Sequence, residues 1–258
     1  MLDAFQNVIA NPASIAARRG LAELWTREQH PQGRLLFLEL RDRFSDLAWD
    51  AHLHDRKEIR ELIEEHGGEW AGRIAELTTS YDYELGLISA CTATGTTLVE
   101  HGAELFSLAP LLSLGVSDPI HLAEVLKLPQ LKQLKGFYIE STAFNDNDAA
   151  IVANCANLRG LIKGSIDCRG LTRVGLQVLM NSAVFDNMVA CYMTMPEHLL
   201  QGGLPNGRQS LIKLDEHWYM QNDAAAAPYW NAAVEAGHQT WNMHVEWPPL
   251  LDALYWTA

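Results

Sequence analysis

The chain has 258 residues, 48% of them hydrophobic and 20% charged, ordinary values for a folded globular protein that exclude a fibre or a disordered tail. Nineteen basic residues against 32 acidic ones give a net charge of −13, which disfavours a sequence-independent grip on nucleic-acid phosphates and favours a basic partner. No apolar run reaches the roughly 20 residues of a membrane-spanning helix, since the best one, from Leu105 to Val116, contains Pro110.

Residues 1–104 carry 18 acidic and 10 basic groups. Their start, MLDAFQNVIANPAS, lacks the basic and apolar blocks expected of a secretory signal. Phe5, Val8 and Ile9, then Leu21, Leu24 and Trp25, recur at spacings of three and four, which predicts amphipathic helices with an inward apolar stripe. Asn11-Pro12 separates two of them, and His30-Pro31-Gln32-Gly33 is expected to end the second. Ile59, Leu62 and Ile63 mark a further helix that His66-Gly67-Gly68 is expected to close.

Residues 105–196 carry seven charges of each sign and contain an internal repeat. A step of 27 superimposes Leu131, Leu158 and Phe185, then Leu134, Leu161 and Met188, then Ile139, Ile166 and Met193. Phe137-Tyr138-Ile139 alternates as a strand does, while Ala149, Val152 and Cys155 step by three, above Leu176, Leu179 and Ser182 in the next unit. Each unit therefore reads as a strand followed by a helix. A looser copy through Leu105, Leu108 and Leu112-Ser113-Leu114, needing a one-residue adjustment, brings the total to three or four. One strand and one helix cannot enclose a core alone, so such units stack and need caps at both ends.

Leu131-Lys132-Gln133-Leu134-Lys135-Gly136-Phe137-Tyr138-Ile139 resembles leucine-rich repeats of the ribonuclease-inhibitor type. Upstream, Ala10-Asn11-Pro12, the helix from Leu21 to Trp25 and the stretch from Pro31-Gln32-Gly33 to Leu40 resemble the repeat-companion domain that precedes such repeats in certain bacterial proteins. Gly68-Glu69-Trp70 and the segment from Glu104-Leu105-Phe106 to Pro110-Leu111 resemble its continuation. Glu23-Leu24-Trp25 departs from the usual acidic residue directly before the Trp, and Gly164 and Cys191 stand at strand positions usually held by Leu. The resemblance implies an α/β fold: a short leucine-rich-repeat solenoid, or horseshoe, with parallel strands and outer helices. A helical region would cap it at the N-terminus and an aromatic region at the C-terminus. The expected organisation is 1–104 companion region and cap, 105–196 repeats, and 197–258 Trp-rich region. The resemblance implies protein binding and brings no catalytic residues.

With Leu134, Phe137 and Ile139 inward, alternation turns Gly136, Tyr138 and Glu140 outward, then Lys163, Ser165 and Asp167, then Ala190, Tyr192 and Thr194. Tyr138, Glu140, Lys163, Asp167 and Tyr192 are the candidate partner-binding residues, because tyrosines bury large area at low entropic cost and keep a polar handle. The competing reading is that these are merely solvated strand residues.

Residues 218–256 hold five of the eight tryptophans. Trp218, Trp230, Trp241, His244 and Trp247 are candidates for a C-terminal pocket, against the alternative that the rings fill a small core. His217, His238 and His244 lie near Asp215, Glu216 and Glu246 without any fixed ligand spacing, so no metal is expected, nor any other cofactor. There is no GxSxG elbow, and 201–207 reads as a turn-rich linker. Four scattered cysteines with no CxxC read as reduced thiols in a cytoplasmic protein.

The function expected from these features is a non-catalytic interaction scaffold for a basic protein, one version being an inhibitor or immunity protein. The alternative is a small enzyme or small-molecule site in the Trp-rich region with the repeats as targeting scaffold. A third reading is a structural subunit of a larger assembly. Neither nucleic acid nor a membrane is an expected partner, and the sequence leaves the oligomeric state open.

Overall fold

The computed structural model describes residues 2–45, 49–200, 210–214 and 217–221, and divides the chain into two units. Of the described residues, the first takes those up to Ala93 together with Ala103–Leu112; the second takes Thr94–Gly102 and those from Ser113 on. No helix among the described residues is long and apolar enough to cross a membrane.

In the first unit, α1 (Leu2–Ala10) is followed by α2 (Ile15–Arg27), which starts where the Ser14 hydroxyl accepts the Ala17 N–H at 3.2 Å. Pro31 opens α3 (Pro31–Phe44), where a missing N–H costs nothing. Leu21, Leu35, Leu36 and Leu38 are fully buried, each contributing about 1.5–3 kcal/mol. Gly33 allows the two helices to meet, since a Cβ there would lie 2.8 Å from the Cβ of Trp25. The unit continues with α4 (Trp49–Ala71), α5 (Arg73–Leu77) and an antiparallel hairpin of β1 (Ser80–Glu84) and β2 (Leu87–Ala93). Leu85 and Gly86, with φ of 50° and 73°, form its two-residue turn.

Two charged groups are drawn into this core. Arg18 is fully buried, donating to the Pro12, Glu84 and Leu85 carbonyls and to the Ser89 hydroxyl at 3.0–3.4 Å, and burial pushes it down to about 9. Half-buried Glu39 accepts the Gly86 N–H at 2.5 Å, and burial pushes its carboxyl up to about 7 against the ordinary 4.5. The charged groups that bear on Glu39 are Glu84, which raises it further, and Arg18 and Arg43, which lower it. A carboxyl raised in the folded state stabilises the fold fully below about pH 4.5, and that contribution is lost as pH rises through about 7. Replacing Glu39→Gln, which keeps an acceptor for Gly86, is expected to raise stability at pH 8 and leave it nearly unchanged at pH 4.5. The gain, after discounting for partial exposure, is about 1–2 kcal/mol in urea unfolding.

The second unit begins at Thr94 and takes the start of α6 (Gly95–Leu108), up to Gly102. In chain order come β3 (Ser113–Val116), α7 (Leu122–Val125), β4 (Gly136–Ile139), α8 (Asp146–Ala153), β5 (Lys163–Asp167), α9 (Arg173–Met180), α10 (Ala183–Asn187), β6 (Ala190–Thr194), β7 (Ser210–Leu214) and β8 (His217–Gln221). The six strands among its described residues lie in the order β3-β4-β5-β6-β8-β7. The first four are mutually parallel, and β8 runs antiparallel to both β6 and β7. Gly136 pairs with Lys163 and Lys163 with Ala190, so these strands lie side by side 27 residues apart in the chain.

Leu131, Leu158 and Phe185, Leu134, Leu161 and Met188, and Ile139, Ile166 and Met193 are all at most 2% exposed. Gly164 stands opposite Phe137 in the sheet, and a Cβ there would come within 3.2 Å of the Met188 sulfur, so Met188 fills the room a strand leucine would take. Asn145 starts α8 with a reciprocal cap to Asp148, Thr172 caps α9 and Ser182 caps α10. The Asp146 carboxylate also accepts the Thr172 N–H at 2.8 Å, tying the start of α8 to that of α9.

Four local expectations are corrected. His30-Pro31-Gln32-Gly33 starts α3 instead of ending α2, because Pro31 suits a first helical turn. α4 runs through Gly67 and Gly68, and the chain turns instead at Gly72, with φ of 46°. Gly67 sits against Ile63 and the Tyr83 ring, and its missing side chain makes room for them. Residues 80–93 form a hairpin inside the region expected to be helical, its signature being the alternation of Ser80-Tyr81-Asp82-Tyr83-Glu84 and the turn at Leu85-Gly86. The looser copy through Leu112-Ser113-Leu114 is further out of step than one residue: Ser113 pairs with Gly136 and Val116 with Ile139, a step of 23, because only the four-residue α7 and a short 3-10 turn separate β3 from β4.

Candidate partner-binding face of the parallel strands

Register assembles the site. Gly115 pairs with Tyr138, Tyr138 with Ser165, Ser165 with Tyr192 and Tyr192 with Tyr219, forming one row across five strands. Neighbouring strands are about 4.8 Å apart, so the positions of Tyr138 and Tyr192 stand about 10 Å apart with the small Ser165 between them. The alternate residues Phe137, Ile139, Ile166, Cys191 and Met193 are buried, which leaves Tyr138, Ser165 and Tyr192 on the opposite side of the sheet. Tyr192 is 47% exposed, while Tyr138 and Ser165 are half-buried.

The charged candidates take different places. Lys163 is half-buried one row away, between Gly136 and Ala190, both buried. Glu140 is exposed just beyond β4, its N–H donating to the Val116 carbonyl at 3.1 Å. Asp167, paired with Thr194, is only 8% exposed. Its carboxylate accepts the Arg169 guanidinium at 2.6–3.1 Å and the Arg169 N–H at 3.1 Å. These bonds hold its carboxyl below the usual range, so Asp167 already has a cation bound two residues away. The row thus unites Tyr138, Ser165 and Tyr192, with Glu140 an exposed carboxylate two residues beyond Tyr138, past the end of β4. Arg169 was missed by sequence reasoning, although an Asp followed at the second position by Arg after a strand is a readable signal.

Trp218 pairs with Met193 and Lys213 in the sheet. Trp230, Trp241, His244 and Trp247 lie outside the described residues, as do His238, Asp215, Glu216, Glu246 and the linker 201–207. Among the described residues no three His, Cys, Asp or Glu side chains gather as metal ligands. All four cysteines are buried and free. Burial raises their thiols above the ordinary range, the opposite of what a reactive thiolate needs.

Comparison of the chain with protein-family models, curated proteins and solved structures finds no match.

Proposed function

We propose that this chain is a non-catalytic interaction scaffold whose strand–helix units form a short leucine-rich-repeat solenoid and whose tyrosine row receives a basic protein segment. The observation that carries the reading is the adjacency of Tyr138, Ser165 and Tyr192, with Tyr192 nearly half exposed although it belongs to a strand in the interior of the sheet. Two tyrosines flanking a serine leave a slot in which a Lys or Arg stem can lie against ring faces, with Glu140 nearby and a net charge of −13 to steer the encounter. Lys163 limits how far a cation can penetrate toward the N-terminal ends of the strands. An inhibitor or immunity protein acting on a basic target is the specific form this chemistry favours. Buried, free thiols suit a reducing compartment such as the cytoplasm.

Affinity capture at 50 mM and 500 mM salt tests this reading, with wild type beside the Tyr138→Ala/Tyr192→Ala pair checked for unchanged melting. A basic protein held by wild type, released by salt and bound at least tenfold more weakly by the variant is the expected result. Equal capture by both forms would refute the assignment to this face.

A further inference from the structure

The first 45 residues carry six arginines against five carboxylates, whereas residues 46–104 carry four basic groups against thirteen acidic ones. Within an acidic chain, the α2–α3 pair is therefore a local exception. Its surface is grooved: a cavity of about 660 Å³ opens between the two helices over Ala22, Phe37 and Leu40, with Arg19, Arg27 and Arg41 around it. A second depression of about 400 Å³ shares Arg19 and Glu23 with it, and a third of about 340 Å³ shares Thr26 and Phe37, so three neighbouring depressions lie along α2 and its turn into α3.

Phe37 is 42% exposed on this surface. The Arg41 guanidinium lies 5.6 Å from its ring centroid and is itself paired with the buried carboxylate of Asp55, which fixes the ring as a platform. Arg34 is neutralised by Glu58 at 2.7 Å. Arg19 and Arg27 form no ion pair among the described residues, and Glu23 lies between them, four residues from each.

We propose that this groove docks an acidic amphipathic helix of a partner protein, apolar side chains on Phe37 and Leu40 and carboxylates on Arg19 and Arg27. Length favours a helix over a compact ligand, because the 13 residues of α2 span about 20 Å. Backbone chemistry favours a helix over a strand, because the groove walls are helices whose N–H and C=O groups are already paired. Charge selects an acidic segment, the reverse of the basic partner expected on the tyrosine row, so the two surfaces can fail separately.

The test pans a library of displayed 16-residue peptides against the full chain and measures the enriched peptides, made synthetically and fluorescently labelled, by anisotropy. Enriched sequences are expected to carry Asp or Glu on one face and apolar residues at i, i+3, i+4 and i+7. Their affinity should fall at least tenfold in Arg19→Glu/Arg27→Glu and at least fivefold in Phe37→Ala. These exposed positions should leave the thermal melt unchanged, and Tyr138→Ala/Tyr192→Ala should bind as wild type. No enrichment, enrichment of basic sequences, unchanged affinity in the charge-reversed variant, or binding only to phosphatidylglycerol vesicles would each overturn the proposal.

Discussion

Replacing Arg18→Met is expected to remove about 3–5 kcal/mol of stability, the largest single effect in the first unit. The guanidinium forks across Pro12, Glu84 and Leu85 and reaches the Ser89 hydroxyl, joining the loop before α2 to both sides of the hairpin turn. Met has similar length and no donors, so the carbonyls of Pro12 and Leu85 would lose these bonds in a site closed to water, and Glu39 and Glu84 would lose a nearby cation. Removing the buried charge recovers part of its desolvation cost, which is why the expected loss is below the sum of the separate bonds. Arg18→Lys keeps the charge but cannot reproduce the planar fork, and should fall between the two. Arg19→Met, on the exposed side of the same helix, should change stability by less than about 0.5 kcal/mol. Urea unfolding of the three variants measures all of this, and a loss below about 1 kcal/mol for Arg18→Met would show that the fork is not what holds the hairpin turn.

The second large effect is expected at Phe185. This ring is fully buried on α10, which packs against α8 and α9 immediately before the chain enters β6 and reaches Tyr192. Phe185→Ala is expected to cost about 3–5 kcal/mol through lost burial and the cavity left behind. Phe185→Leu, matching the residue type at Leu131 and Leu158, should cost only about 1–1.5 kcal/mol because a branched aliphatic chain refills most of that volume. Thermal denaturation followed by circular dichroism separates the two, and equal melting of both variants would contradict the packing described for α10.

The sequence was most legible where the periodicity was long-range. Apolar residues 27 apart could be aligned because the two connections that join β4 to β5 and β5 to β6 keep the same strand-to-strand step, and those residues are buried in the second unit. The tyrosine row followed from the same alignment and from strand alternation. The rule failed at β3, the first of the parallel strands, where the step between paired residues shortens to 23.

Glycine punctuation was misleading in the first unit. Gly67 reads as a stop yet lies inside α4, since its small size answers to the Tyr83 ring, a contact between residues 16 apart. The groove was hidden because charge was summed over 104 residues, and the acidic stretch 46–104 masked the arginines of α2 and α3. Asp167 illustrates a further limit. Alternation placed it on the outer face, while its ion pair with Arg169 depends on side-chain geometry that periodicity does not carry.

The central claim is that Tyr192 touches the partner. Placing a photo-crosslinking phenylalanine analogue at position 192, and separately at exposed Val174 on α9, tests it most directly in living cells. Crosslinking from 192 to one discrete basic protein, abolished by adding Tyr138→Ala and absent from 174, is the predicted result. Crosslinks from 174 alone, or none from 192 in a chain that remains folded, would contradict the account.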